Sequence, residues 1–255
     1  MNIFGNYARY YDLLYKDKNY AGEADYIDSL LRFHAPGCAS ILELGCGSGI
    51  HASLLTQKGY EVHGVDLSPD MLKIAMERVE PLAGKSGKRI SFAGGDVRSY
   101  RTDRKFDAVI SLFHVMSYQT RQEDLHAAFE TARFHMAPGA IFIFDFWYGP
   151  AVLTDRPAVR VKRLEDEKIK VARIAEPSMH PNENCVDVNY QIFVADKASG
   201  RVEDLNETHK MRYLFLPEID SLMENYGMMR LRAEEWMTGK EPGFDTWGVC
   251  VVAQG

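Results

Sequence analysis

The chain predicts an α/β fold, with a mostly parallel sheet covered by helices on both faces and interrupted by an antiparallel β block. Three observations carry this expectation. Residues 38–148 alternate short apolar runs with amphipathic helical stretches, the rhythm of a parallel sheet with covered faces. Residues 151–215 switch to side chains that alternate with period two, as in antiparallel strands with one wet face. From residue 216 the helix-and-strand rhythm returns. A length of 255 residues suits one core with a sizeable insertion. The expected division is a core of residues 1–150 and 216–255, beginning with a helical lid, and an insertion of residues 151–215 that covers the substrate or joins two copies.

Each element has its own signal. Tyr7, Tyr10, Tyr11, Leu14 and Tyr15 fall at i, i+3, i+4, i+7 and i+8, a helical stripe. A second helix, roughly 20–34, carries Ile27, Leu30, Leu31 and His34 and ends at Pro36-Gly37. The first strand, Ser40 to Leu44, opens into Gly45-Cys46-Gly47-Ser48-Gly49, and the helix behind it, with Leu54 and Leu55, stops at Gly59. Glu61 to Asp66 is the second strand. Ser68-Pro69 then supplies an N-cap and a proline at the first helical position, ahead of Met71, Leu72, Ala75 and Val79. Arg89 to Phe92 and Asp107 to Phe113 are the third and fourth strands. Thr120 to Glu123 has the capping-box pattern before a helix with Leu125, Phe129, Ala132 and Met136. Pro138-Gly139 turns into the fifth strand, Ala140 to Phe146. In the insertion, Val159 to Lys162, Lys168 to Val171, Val186 to Tyr190 and His209 to Tyr213 read as strands. Pro217 starts a helix ended by Gly227, and strands near 228–235 and 246–253 close the chain.

Charge and composition narrow the partners. The net charge is −6, from 30 basic and 36 acidic residues. A nucleic-acid binder usually needs a basic surface to displace counterions from phosphates. The balance therefore favours a small-molecule partner, for which a few local Arg and Lys residues suffice even if it carries a phosphate. No stretch approaches the ~20 apolar residues of a membrane span, and Met1 to Asn6 has neither the basic start nor the apolar run of a signal peptide. Cytoplasmic residence without membrane contact is the expectation. Four cysteines without a C-x-x-C pair give neither a disulfide framework nor a zinc site. The Asn206-Glu207-Thr208 sequon is then accidental.

The strongest local signal is Glu43 to Gly49, E-x-G-x-G-x-G, between a strand and a helix. Glycines there let the backbone bend tightly and let a ligand sit against exposed N–H groups at a helix start. A dinucleotide site would place Gly or Ala at position 50, where this chain has Ile50. Asp66 ends the second strand, 66 − 49 = 17 residues after the last glycine. Two readings stand for it: an acceptor for a ribose diol, or a helix-cap partner near Ser68.

Glu43 to Gly49, Asp66, Gly95-Asp96 and Asp107 to Phe113 resemble, in order and spacing, motifs I to IV of the class I S-adenosylmethionine-dependent methyltransferases. The resemblance spans about two thirds of the chain. It implies a Rossmann-like, doubly wound, mostly parallel sheet of seven strands with the antiparallel insertion after strand five. A closer resemblance is to small-molecule N-methyltransferases acting on nucleotide-linked amino sugars, and to glycine-type N-methyltransferases. Tyr7 to Asp12, Gly49-Ile50-His51, Leu67 to Leu72 and the insertion after Asp145-Phe146-Trp147 carry it. The amino-sugar family has a His in the loop after strand four; this chain has Tyr118 there and His114 four residues earlier.

The resemblance implies roles. S-adenosylmethionine would lie against Glu43, Gly45, Gly47 and Gly49, with Asp66 on its ribose. Met71 or Leu67 would pack near the adenine, Asp96 would accept from the adenine amino group, and Val97 and Leu112 would flank it. Tyr11 and Tyr15 read either as a lid over cofactor and substrate or as a packed aromatic stripe. Phe113 and Trp147 would wall the acceptor pocket. His114 and Tyr118 are the candidate catalytic residues, because an amine must lose a proton before it can attack a methyl group. His51, His126 and His209 read as satisfied surface or core residues. Cys46 reads as a small buried filler. The basic run Arg156, Arg160, Lys162 and Arg163 reads as a wet strand face or a phosphate contact.

No metal is required, since methyl transfer from a sulfonium needs alignment and a water-poor site. The expected activity is methylation of a small polar acceptor, foremost an amine such as an amino sugar, in a possible homodimer. The competing readings are O-methylation, a macromolecular methyltransferase, aminopropyl transfer and a non-catalytic protein of the same fold. Leu112 to Gln119 lacks the acidic residues expected of an aminopropyl transferase.

Overall fold

The computed structural model describes residues 13–80 and 89–255. Tyr7, Tyr10 and Tyr11 of the expected N-terminal stripe lie outside the described residues. The core begins with α1 (Tyr20–His34), β1 (Ser40–Leu44), α2 (Ile50–Gln57), β2 (Glu61–Asp66), α3 (Pro69–Val79), β3 (Ile90–Gly94) and β4 (Phe106–Ser111). A 3₁₀ turn (Val115–Tyr118), α4 (Gln122–His135) and β5 (Met136–Tyr148) follow. Helix α5 (Gly149–Thr154) leads into β6 (Arg160–Glu165), β7 (Ile169–His180), β8 (Cys185–Asp196) and β9 (Val202–Leu214). Helix α6 (Leu216–Asn225), β10 (Met229–Glu235) and β11 (Gly248–Gln254) complete the chain.

Seven strands form the core sheet in the order β3-β2-β1-β4-β5-β11-β10. Its neighbours run parallel from β3 to β5, and β11 is antiparallel to both β5 and β10. Strand order reverses between β1 and β4, so their carboxyl ends frame the crevice in which such sheets bind ligands. Strands β6 to β9 form an antiparallel meander. It joins the core through Trp147↔Tyr213 and Tyr148↔Leu214, making one continuous sheet of eleven strands among the described residues, of which the core supplies the seven expected.

Both sheet faces are covered. Along β5, Phe142 and Phe144 pack against Phe129 of α4, and Ile141 and Ile143 share the opposite cluster with Ile27 and Leu31 of α1 and Leu55 of α2. This alternation of apolar side chains to both faces is what a strand buried on both sides demands.

The structure departs from the sequence expectations in four places. Strand β5 starts at Met136, before Pro138-Gly139, and pairs irregularly with β4 between Phe106 and Ala108. Gly139 accommodates the irregularity at φ 75°, and proline is tolerated where a ladder bond is already missing. The capping box does not form: Arg121 is the N-cap of α4 and makes no side-chain cap bond. Strand β4 ends at Ser111, because Phe113 and His114 adopt positive φ (66° and 64°) and turn the chain into the 3₁₀ segment. The insertion strands are longer than their apolar patches, since β7, β8 and β9 continue through polar residues on the wet face. Thr208 Oγ1 donating to Asn189 Oδ1 at 2.9 Å is one such cross-strand contact.

Candidate active site

One cleft of about 440 Å³ runs from the glycine loop, past the tips of β1, β2 and β4, to the insertion. The loop folds back on β2: the Gly45 and Cys46 N–H groups donate to Val65 O at 2.8 and 3.0 Å. Gly45, Gly47 and Gly49 all have positive φ (79°, 53° and 70°), but for different surroundings. A Cβ on Gly45 would stand 2.6 Å from Val115 Cγ2, and one on Gly49 2.8 Å from the Phe92 ring. At Gly47 a Cβ would meet no protein atom within 4 Å. Gly45 and Gly49 are therefore needed by the protein's own packing, whereas Gly47 leaves room on the cleft side. Gly49→Ala should lower thermal stability by about 1–3 kcal/mol from backbone strain alone, with the Phe92 contact added. Gly47→Ala should carry only the strain. Melting curves that place both variants together would contradict this division.

Asp66 organises the loop. Its Oδ2 accepts from the Gly47 N–H at 2.7 Å and its Oδ1 from the Ser68 N–H at 2.8 Å. Burial raises its carboxyl above the ordinary range, and the N–H bonds oppose that shift. Ser68 caps α3 as its sequence predicts, accepting from the Met71 N–H at 3.3 Å. Leu67 is 66% exposed on the cleft rim. Met71 is buried among Leu14 and the insertion's Ile169, Val171, Ile192 and Val194, so α3, the N-terminal segment and the insertion share one small core.

Glu43 and Gly49 do not line the cleft; they stand behind its wall. Glu43 is buried, and its Oε2 has no hydrogen-bond partner among the described residues. Burial, aided by the nearby Asp66 charge, pushes its carboxyl up to about 8. A carboxyl raised in the folded state binds its proton more tightly than in the unfolded chain. Its contribution is then complete below pH ~4.5 and is lost as pH rises through ~8. Glu43→Gln should remove that loss, so its melting midpoint should fall less than wild type between pH 5 and pH 8.5. Parallel profiles would show that Glu43 is not the group responsible.

Asp96, Val97 and Leu112 line the cleft. The Asp96 carboxylate accepts from Arg98 Nε at 2.9 and 3.0 Å, and that guanidinium holds it below the usual carboxylate range. Arg98 also donates to Asp124 at 2.9 Å. Burial pushes the Cys46 thiol far above its ordinary value, and Glu43 and Asp66 add to the shift, which disfavours a thiolate there.

The far end of the cleft brings together Tyr15, Phe113, His114, Tyr118 and Trp147 with Val188, Tyr190, His209 and Met211 of the insertion. Tyr15 meets Phe113 edge-on at 5.1 Å, and the Lys18 ammonium lies 4.6 Å above the Phe113 ring. His114 sits on Asp145, a carboxylate only 1% exposed. Its backbone N–H donates to both Asp145 oxygens at 3.1 and 3.2 Å. Its Nδ1 stands 2.6 Å from Asp145 Oδ2, off the line of an aligned hydrogen bond. The positive φ of Phe113 and His114 is what turns the imidazole toward Asp145. Tyr118 Oη lies 2.7 Å from His209 Nδ1. Behind these, Glu23 accepts from His51 at 2.8 Å and from Lys18; burial opposes its charge, but those bonds outweigh it and hold the carboxyl at about 2.

Sequence reasoning gave no site role to Asp145, His209, Tyr190, Lys18 or Arg98. Asp145 had a readable signal, a lone carboxylate in the apolar run Ala140 to Phe146. His209 and Tyr190 had none, because they reach the cleft only through the meander's register. Among the described residues, no three His, Cys, Asp or Glu side chains gather in a way that could hold a metal ion. No helix among them is long and apolar enough to cross a membrane.

Comparison with known proteins gives four findings beyond this geometry. A methyltransferase-domain family matches residues 41–139. The chain is 29% identical, over 88% of its length and 90% of the relative's, to the dTDP-3-amino-3,4,6-trideoxy-alpha-D-glucopyranose N,N-dimethyltransferase of Streptomyces venezuelae. Its fold is similar to that of Streptomyces venezuelae DesVI (26% identity, TM-score 0.79, 96% of this chain and 97% of that one). It is also similar in fold to an S-adenosylmethionine-dependent methyltransferase from Clostridium acetobutylicum (21% identity, TM-score 0.82, 99% of both chains).

Proposed function

The chain belongs to the S-adenosylmethionine-dependent methyltransferases, and from this premise we propose that it methylates the nitrogen of a small amine of the amino-sugar class. The observation that carries the acceptor is the aromatic end of the cleft, where His114 rests on buried Asp145. The substrate named for the Streptomyces venezuelae relative, a dTDP-linked amino sugar, supports the same reading.

The residues present fit the cofactor. Gly47 leaves open the space that a Cβ would fill, and each Asp66 oxygen already accepts one N–H and keeps a lone pair for a ribose hydroxyl. Leu67, Met71, Asp96, Val97 and Leu112 would flank the adenine. When bound, S-adenosylmethionine supplies a methyl group already activated by its sulfonium. The protein's task is to place the nucleophile in line and keep water out. Phe113, Trp147 and Tyr15 wall the acceptor, and the insertion covers it. His114 is the foremost candidate to take a proton from the amine at its imidazole, with the Asp145 carboxylate stabilising the cation formed; Tyr118, at the other end of the same turn, is the alternate.

Several finer points belong to the same proposal. The net charge of −6 supports a small acceptor rather than a nucleic acid. Residence in the cytoplasm is supported by four cysteines that all stand free, as a reducing compartment would keep them. A homodimer through the insertion is supported by β6, an edge strand with Val161 exposed; a single monomer mass across micromolar concentrations in light scattering would rule it out.

The deciding experiment offers methyl-labelled cofactor with a panel of simple amines, free amino sugars and nucleotide-linked amino sugars. Label should appear on an amino-sugar nitrogen. Transfer to hydroxyl acceptors alone would overturn the nitrogen assignment.

A further inference from the structure

We propose that Tyr118 and His209 act as one proton relay for the acceptor amine, so that the insertion supplies a proton acceptor to the cleft as well as a cover. The inference rests on the amine reading above. Tyr118 ends the turn after β4, and His209 stands on β9, 91 residues away, yet Oη and Nδ1 are 2.7 Å apart. Both side chains line the cleft. His209 is 3% exposed, and Glu207, two residues earlier on the same face of β9, brings an oxygen within 3.5 Å of its Nε2.

Tyr118 alone is a poor base. Burial pushes its hydroxyl well above the ordinary value, so a phenolate is disfavoured. A concerted hand-off never forms one. Tyr118 Oη accepts the proton of the substrate's ammonium while its own hydroxyl proton moves to His209 Nδ1. The substrate N–H bond breaks and leaves its electron pair on nitrogen, free to attack the methyl group. Tyr118 ends as it began, a neutral phenol, and the positive charge moves from the substrate to His209, where Glu207 faces it. Tyr15, Tyr190 and Glu207 are the titratable groups around Tyr118. Arg173 adds its guanidinium 4.8 Å from the Tyr190 ring, and His114 caps the start of the same turn.

The test separates a relay from a buttress. His209→Asn keeps a hydrogen-bond acceptor near the position of Nδ1 but cannot hold a proton. With an amine acceptor, His209→Asn and Tyr118→Phe should each lower kcat about 10²-fold, the lower range for general-base catalysis. The double variant should be little worse than either, because the two residues act as a unit. His209→Asn at the wild-type kcat would overturn the relay and leave His209 a support for Tyr118. A readout independent of turnover is the ¹⁵N spectrum of histidine-labelled protein without substrate. Neutral His209 should show Nδ1 as the unprotonated nitrogen, and a proton there would also overturn the relay. Transfer of label to no amine would take down the amine reading itself. Transfer at full rate by His209→Asn would take down the relay alone.

Discussion

Asp66→Ala should weaken S-adenosylmethionine binding about 10- to 150-fold, the effect of losing roughly 1.5–3 kcal/mol from a hydrogen bond to a charged group. Two losses combine. The variant has no acceptor for a ribose hydroxyl, and it releases the Gly47 and Ser68 N–H groups that Asp66 ties at 2.7 and 2.8 Å. Asp66→Asn separates them, since its single carbonyl oxygen can hold one N–H but not both. The alanine variant should therefore bind more weakly than the asparagine variant, and both more weakly than wild type. Calorimetry that gives Asp66→Ala the wild-type affinity would remove Asp66 from the cofactor site and leave it the helix-cap and loop tie that its backbone contacts already describe.

His114→Ala should lower kcat about 10²-fold and leave cofactor affinity nearly unchanged. General-base catalysis is typically worth ~10²–10⁴, and alignment of nucleophile and methyl can supply more than that by itself, so residual activity should remain. Asp145→Asn keeps the shape of the site and removes the charge 2.6 Å from the imidazole. It should lower kcat in the same direction without raising the KM for the cofactor. If His114→Ala retains full kcat with an unchanged pH profile, the imidazole is not the base. If Tyr118→Phe also retains it, solvent takes the proton and the enzyme works by alignment.

These two sites differ in how far the sequence exposes them. The Gly45–Gly49 loop and Asp66 are legible because their geometry is local: a strand, a tight turn and a helix start bring them together within about two dozen residues, whatever the rest of the chain does. The acceptor end is not local. Phe113 and His114 were readable as the end of a strand, but their positive φ, which aims the imidazole at Asp145, follows from how the chain leaves the sheet. The carboxylate itself comes from a different strand, β5, 31 residues later.

The sequence by itself determined the architecture, since periodicity distinguishes a strand covered on both faces from one with a wet face, and it determined the glycine-loop end of the cleft. Only the tertiary structure decided what meets at the acceptor end. Glu43 reads as a cofactor contact, yet it lies behind the cleft wall, because it belongs to β1 rather than to the loop and its side chain turns into the core. His209 reads as a satisfied surface or core histidine, yet the register that sets Val188 opposite His209 brings it to Tyr118. Strand register depends on every pair in the meander and on where its turns fall, so a single residue's type and spacing carry little of it.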